Sequence, residues 1–293
     1  MRAAEPVLAP VLSARRRRRA PSRLLRDPSF LTGALITLVI GAIAVAPGLF
    51  TSEDPLRVDG TRRLVAPGAA HPFGTDELGR DMFSRVLHGA RLSVSAGLFA
   101  VLLATTLGGV LGAIAGYLGG TLDEVIMRVA DIFLGFPALV MAMAIVAAMG
   151  PNLMNALIAF SIVWWPQYTR LVRVSVVMAK EQVYVEAARA AGAPEARIML
   201  RHVAPNILSP VIIKVTLDVG TAILLTAALS FLGLGAQPPT PEWGSMITTG
   251  RSYMLEYWWY PTFPGVAIFL TALGFNLLGD GVRDFLDPRL ANA

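Results

Sequence analysis

Five or six runs of about twenty mostly apolar residues, each long enough to cross the hydrocarbon of a bilayer, divide this chain and leave little length for a separate soluble domain. With 55% hydrophobic and only 15% charged residues in 293, the composition points the same way. The expected fold is an all-α integral membrane protein of about six transmembrane helices. There is no cysteine, which excludes disulfides, thiolate metal sites and a Cys nucleophile. The formal charge of +5 raises the question of nucleic acid, but the basic residues follow the two membrane sides and form no reading surface, so no nucleic-acid partner is expected.

Span one is expected over Phe30 to Phe50, preceded by Arg2, Arg15 to Arg19, Arg23 and Arg26. It lacks a clear small-x-small cleavage site and reads as an uncleaved span, its arginines holding the amino terminus in the cytoplasm near anionic lipid. Span two is expected over Leu92 to Leu118. A short polar link with Asp123, Glu124 and Arg128 leads to span three, which ends near Met149 at the turn residues Pro151 and Asn152. Span four ends near Met178, span five covers Ile207 to Leu234, and span six covers Pro261 to Leu278. Both termini and the segment between spans four and five then share the arginine-richer side, the cytoplasm by the positive-inside rule. Tyr253, Tyr257, Trp258, Trp259 and Tyr260 form an aromatic belt at the other interface. In span two Ala96, Ala100, Ala104, Gly108, Gly112, Gly116 and Gly120 recur every fourth residue, a stripe that lets neighbouring backbones approach closely.

The segment between spans four and five, "EAARAAGAPEARIMLRHVAPN" from Glu186 to Asn206, is charged and rich in alanine. Glu181 to Ala191 favours a helix, Gly192 suits the left-handed residue that closes it, and Pro194 fits the first turn of a second short helix with Glu195 at its positive end. The reading is a helical hairpin with little bulk and no large apolar anchor, suited to a groove on another protein, where Glu186, Arg189 and Arg197 supply polar contacts. As pattern alone, a solvated loop fits equally well.

Glu186, Ala187, Ala188, Arg189, Gly192, Ala193, Pro194 and Arg197, followed by Arg201, His202, Val203, Ala204, Pro205 and Asn206, closely resemble the EAA loop of permease subunits in ATP-binding-cassette importers. "HPFGTDELGRDMFSRVLHGARLS" (His71 to Ser93), "LSFLGLGAQPPTPEWGSMI" (Leu229 to Ile247) and "GDGVRDFLDPRL" (Gly279 to Leu290) resemble the peptide and nickel subfamily, of the dipeptide or oligopeptide permease C type. The motif's usual leucine before Pro205 is Ala204 here, which touches only local packing. The resemblance implies a cytoplasmic coupling hairpin at about 180–206 and a bacterial inner-membrane location. It further implies a sister permease forming a heterodimer, two ATPase subunits that bind ATP and Mg, and an extracytoplasmic substrate-binding protein. Residues 1–28 are then a basic cytoplasmic tail and 29–293 the transmembrane permease domain, in contact with the lipid bilayer.

This chain has no Walker A loop, and its only lysines, Lys180 and Lys214, lack such a context, so ATP belongs on a partner and no catalytic residue is expected. Asp76, Arg80 and Asp81 precede Phe83, Val86, Leu87 and Ala90, whose spacing predicts a short amphipathic helix on the outer face, with Asp81 pairing Arg85 one turn on. That helix either guides the chain into the bilayer, or shapes the outer mouth or contacts a substrate-delivering protein. Lys214 and Asp218 sit four apart in span five, a structural ion pair or a pathway position. His71, His88 and His202 are scattered, so no metal site is expected. The rival readings are a stand-alone ion-coupled secondary transporter, for which the Lys214 and Asp218 pair is thin material, and a membrane hydrolase, for which no catalytic constellation exists.

Overall fold

The computed structural model describes residues 27–286. Its longest elements are helices, and their ends follow from local chemistry. Asp27 caps α1 (Pro28–Val45), its carboxylate accepting from the Ser29 amide at 2.8 Å, with Pro28 in the first turn. α1 stops before Pro47, which opens a 3-10 turn (Pro47–Leu49), so span one ends short of the expected Phe50.

The expected amphipathic helix and span two are one helix, α2 (Met82–Leu118), roughly 55 Å long at 1.5 Å per residue. No proline interrupts the run, and the Asp81 side chain caps it by accepting from Ser84 N at 2.7 Å. That capping role corrects the expected pairing of Asp81 with Arg85: Asp81 instead meets His71 at 2.8 Å, and Arg85 faces Asp76.

The polar link expected after span two is itself helical, α3 (Gly120–Leu134), and α4 (Ala138–Met149) leaves it at 91°. Pro137 caps α4 and cannot continue α3, because it lacks the amide proton. Span three is thus a broken one. Asp123 and Asp131 tie α3 to Arg173 and Arg170 of α5 (Leu153–Lys180), both at 2.5 Å. After α5 come α6 (Val183–Ala190), α7 (Glu195–Ile198), a π-turn (Met199–Val203) and α8 (Ala204–Phe231). The proline-rich aromatic stretch contains an unforeseen helix, α9 (Trp243–Gly250), capped by Glu242, which accepts from the Gly244 and Ser245 amides. α10 (Trp259–Leu286) closes the described chain.

Among the described residues, four helical stretches meet the length and hydropathy of a span, or five when the bent α3 and α4 pair is counted as one. α5 is also long enough, at 28 residues, but Asn155, Pro166, Gln167, Arg170, Arg173 and Lys180 make it less hydrophobic. Packing orients the bundle. Gly281 of α10 lies against Phe30 of α1, and Arg283 of α10 lines one cavity with Asn206, so the start of α1 and the end of α10 share the end that carries α6 and α7. At the opposite end Trp259 donates to the Thr75 carbonyl, joining α10 to the segment before α2.

The small-residue stripe of α2 is buried from Ala96 to Gly116, while Gly120 falls beyond the helix. A Cβ at Gly112 would stand 2.5 Å from the Thr169 carbonyl oxygen, whereas one at Gly109 meets nothing within 4 Å. Gly112→Leu is therefore expected to force α2 from α5 and cost about 1–3 kcal/mol. Thermal unfolding in detergent should show a clear drop for Gly112→Leu and almost none for Gly109→Ala.

Candidate functional site

The first arm and the turn form as the sequence implies, and the turn accounts for the glycine. Gly192 has φ +77, and its amide bonds the Arg189 carbonyl at 3.0 Å while the Ala193 amide reaches the Ala188 carbonyl at 3.1 Å. That paired pattern is the Schellman ending, and Ala188 and Ala193 on either side of the turn both pack against the same buried apolar cluster. A Cβ at Gly192 would meet nothing within 4 Å, so glycine is needed for its backbone angle and not for space. Pro194 is the cap of α7, not a residue of its first turn as expected: its ψ of 147 is extended, and its carbonyl accepts from Arg197 and Ile198.

The second arm is not a separate short helix. From Glu195 the chain runs helically into α8, interrupted only by the π-turn. Pro205 supplies a cause: it has no amide to give Arg201, and its ring crowds that carbonyl, so the ladder slips and Ala204 N bonds Met199 O instead. His202 lies in this turn with Nδ1 buried and unpartnered, and its carbonyl accepts from the Asn206 side chain at 2.6 Å.

The hairpin is fixed to the bundle on its inner side. Val185, Ile198 and Val203 are buried with Val172 and Val176 of α5 and Ile207 of α8, and Tyr117 of α2 packs at the edge. Tyr117 donates to the Glu195 carbonyl at 3.0 Å and makes a short hydrogen bond to its carboxylate, which also pairs with Arg189. That bond raises the Arg189 guanidinium above its already high ordinary value. Lys180 donates to the Tyr117 carbonyl at 2.6 Å, capping the end of α2, with its ammonium over the Tyr117 ring. An isolated tyrosine at a helix end gives no signal in the sequence, and Lys180 reads there only as one of the basic residues of the cytoplasmic side and as a lysine without a phosphate-loop context.

The outward side is accessible. Glu186, Ala187, Arg189, Ala190 and Arg197 are exposed. So are Val183 at 78% and Leu200 at 74%, which corrects the expectation of a hairpin without bulky apolar residues.

Asp76, Arg80 and Asp81 lie at the opposite end and are buried. Asp76 accepts from Arg80 Nε at 2.6 Å and from the Leu78 and Arg80 amides at 2.9 Å, and Arg85 Nε stands 3.4 Å from the same carboxylate. Arg80 reaches Glu77, which accepts a short hydrogen bond from Tyr260. These residues bind the segment before α2 to the helix ends, and none lines the cavity that holds Lys214 and Asp218.

That cavity, of about 640 Å³, is walled by Asn206, Ser209, Pro210, Ile213, Lys214, Leu217 and Asp218 of α8, with Leu171 of α5 and Arg283 and Leu286 of α10. Lys214 and Asp218 pair at 2.9 Å, Tyr168 donates to the same Asp218 oxygen at 2.7 Å, and Lys214 donates to Gln167 at 3.2 Å. The pair was legible from its spacing; Tyr168 and Gln167 on α5 and Arg283 on α10 were not, since only packing brings them there. The three histidines sit apart: His71 on Asp81, His88 on Ser84, and His202 in the π-turn.

Comparison with known proteins adds an independent line. The family described as binding-protein-dependent transport system inner membrane component matches residues 108–292. A probable D,D-dipeptide transport system permease protein of Escherichia coli (strain K12) is 48% identical over 263 residues, 90% of this chain and 88% of the relative. A dipeptide transport system permease protein of Alkalihalophilus pseudofirmus is 46% identical over 273 residues, 93% of this chain and 90% of the relative. A glutathione transport system permease protein of Shigella flexneri serotype 5b is 45% identical over 273 residues, covering 92% and 89%.

Proposed function

This chain belongs to the family of binding-protein-dependent transport system inner membrane components, and we propose that it is the permease subunit through which an ATP-hydrolysing partner drives short peptides across the inner membrane. The observation that carries this reading is the hairpin: accessible on its outer side, locked to α2, α5 and α8 on its inner side, and continuous through one arm with α8. A push on Glu186 or Ala187 has no slack to disappear into. It is passed along α8, whose inward face lines the cavity from Asn206 to Asp218.

The coupling surface consists of Glu186, Ala187, Ala188, Arg189, Gly192, Ala193, Pro194 and Arg197, with His202, Pro205 and Asn206 forming the joint between hairpin and α8. The basic flanks support a cytoplasmic hairpin end, and with it cytoplasmic termini. The sister permease completes the pathway, two ATPase subunits hold ATP and Mg, and an extracytoplasmic binding protein delivers cargo. Residues 29–293 form the permease domain. The relatives' names, which specify dipeptides, a D,D-dipeptide and glutathione, support a short peptide as cargo. The rival reading, a stand-alone ion-coupled transporter, gains no support from a family of binding-protein-dependent components.

The native chain has no cysteine, so a single thiol reports one position only. Ala187→Cys is expected to cross-link to an ATPase subunit in the assembled transporter, with a yield that changes when a non-hydrolysable ATP analogue is added. A transporter that imports normally while Cys at 187 never captures a nucleotide-binding neighbour would contradict the reading.

A further inference from the structure

We propose that the α8 cavity is a waypoint for zwitterionic cargo, with Asp218 receiving the ammonium and Lys214, assisted by Arg283 on the same wall, receiving the carboxylate. The inference rests on the reading of this chain as a peptide-importer permease and assigns residues to the cargo's charged ends.

Position supplies the first argument. Asn206, Ser209, Ile213, Leu217 and their neighbours Pro210, Lys214 and Asp218 recur at helical spacing, so one face of α8 lines the cavity for roughly 18 Å, counting 1.5 Å per residue. Lys214 lies ten residues and Asp218 fourteen from the start of α8, well inside a helix of spanning length. Charges at such depth are costly unless they face a cavity open to water or one another, and here they pair with one another on the wall of a cavity. Their side chains keep 24% and 15% of their surface exposed, so the cavity reaches them.

Unused bonding capacity supplies the second. Asp218 Oδ2 accepts from both Tyr168 and Lys214, while Oδ1 accepts from no described residue. Lys214 has three donors, of which Asp218 and Gln167 take two. Arg283 lines the cavity and forms no ion pair with a described residue. The open valences are thus one carboxylate oxygen, one ammonium proton and a guanidinium. A free amine matches the first, and a free carboxylate matches the other two, the guanidinium in bidentate fashion. Leu171, Ile213, Leu217 and Leu286 give the remaining wall an apolar surface that tolerates varied side chains between the two ends.

The test uses the complete transporter with its own partners in vesicles, a mixture of natural dipeptides outside, and mass spectrometry of the lumen. Asp218→Asn is expected to lower dipeptide accumulation at least tenfold per assembled complex, Lys214→Gln to lower it by a similar factor, and Lys214→Arg to restore most of it. Protection adds a reading at the site itself: a thiol introduced by Ser209→Cys should be shielded from a soluble maleimide by 10-fold or more when dipeptide is added, and not when Asp218→Asn is also present. Accumulation and shielding that survive Asp218→Asn and Lys214→Gln together would overturn the waypoint while leaving the peptide-importer reading intact. A wild-type complex that admits no dipeptide at all would remove that reading and this proposal with it.

Discussion

Replacing Gly192 with proline is expected to leave the protein inserted at near-normal levels while ATP-driven uptake falls about a hundredfold. At φ +77 the native backbone lies far from the value near −65° that a proline ring imposes, and the substitution also removes the amide that bonds the Arg189 carbonyl. A loss of roughly 3 kcal/mol in one turn is about a factor of a hundred in the population of the correctly closed hairpin. The damage stays local because a side chain at position 192 would meet nothing within 4 Å and the helices of the bundle pack elsewhere. Gly192→Ala should fall between, since a non-glycine residue in the left-handed region costs about 1–2 kcal/mol. Glu186→Arg provides the complementary case, reversing an exposed charge without altering the turn. The measurement is the ratio of ATP hydrolysed to solute imported in vesicles. Uptake at the parental ratio in both Gly192→Pro and Glu186→Arg would remove the hairpin from the coupling route.

The hairpin was legible because its signals are local: helix formers, a glycine at the closing position and a proline beyond it act within a few residues. What the sequence could not supply was where helices continue. The amphipathic stretch before Leu92 and span two looked like two elements because their polarity differs, yet no proline separates them and α2 runs through both. The sequence reading makes the second hairpin arm a short helix separate from span five, whereas the backbone absorbs Pro205 with a π-turn and goes on. Long-range partners were equally hidden. Asp81 pairs with His71 and not with Arg85, because the segment before α2 folds back over the helix end and delivers Asp76 to Arg85. Tyr117 meets Glu195 across 78 residues of sequence, a contact set by α2 packing on α5 and the hairpin turning beneath it. The small-residue stripe did predict close approach: Gly108, Gly112 and Gly116 lie against the backbone of α5, while Gly97, outside the stripe, lies against Ile223 of α8.

Asp76→Ala is expected to be the most destabilising single change at the other end of the bundle, costing about 3–5 kcal/mol out of a total that is typically about 5–15. The carboxylate has no exposed side-chain surface, and it lies against two guanidinium groups that each keep only 4% of theirs. Removing it leaves Arg80 and Arg85 buried beside one another with no anion between them, and deprives the Leu78 and Arg80 amides of their acceptor. Arg80 would keep Glu77, and Arg85 would keep the Pro55 and Pro239 carbonyls, but neither arrangement replaces the shared negative charge. The amount of chain recovered from membranes and its unfolding midpoint in detergent should both fall sharply. Asp76→Asn should be milder, since the amide oxygen still accepts from the backbone. Substituting both arginines by methionine in the Asp76→Ala background should recover part of the loss, because an apolar cluster of similar volume does not require an anion. The same variants decide between the two roles open to Asp76, Arg80 and Asp81. If these residues only secure the segment before α2, uptake per assembled transporter stays near the parental value in whatever fraction folds. A variant that assembles normally but imports at a tenth of the rate would place them on the cargo's route at the outer mouth.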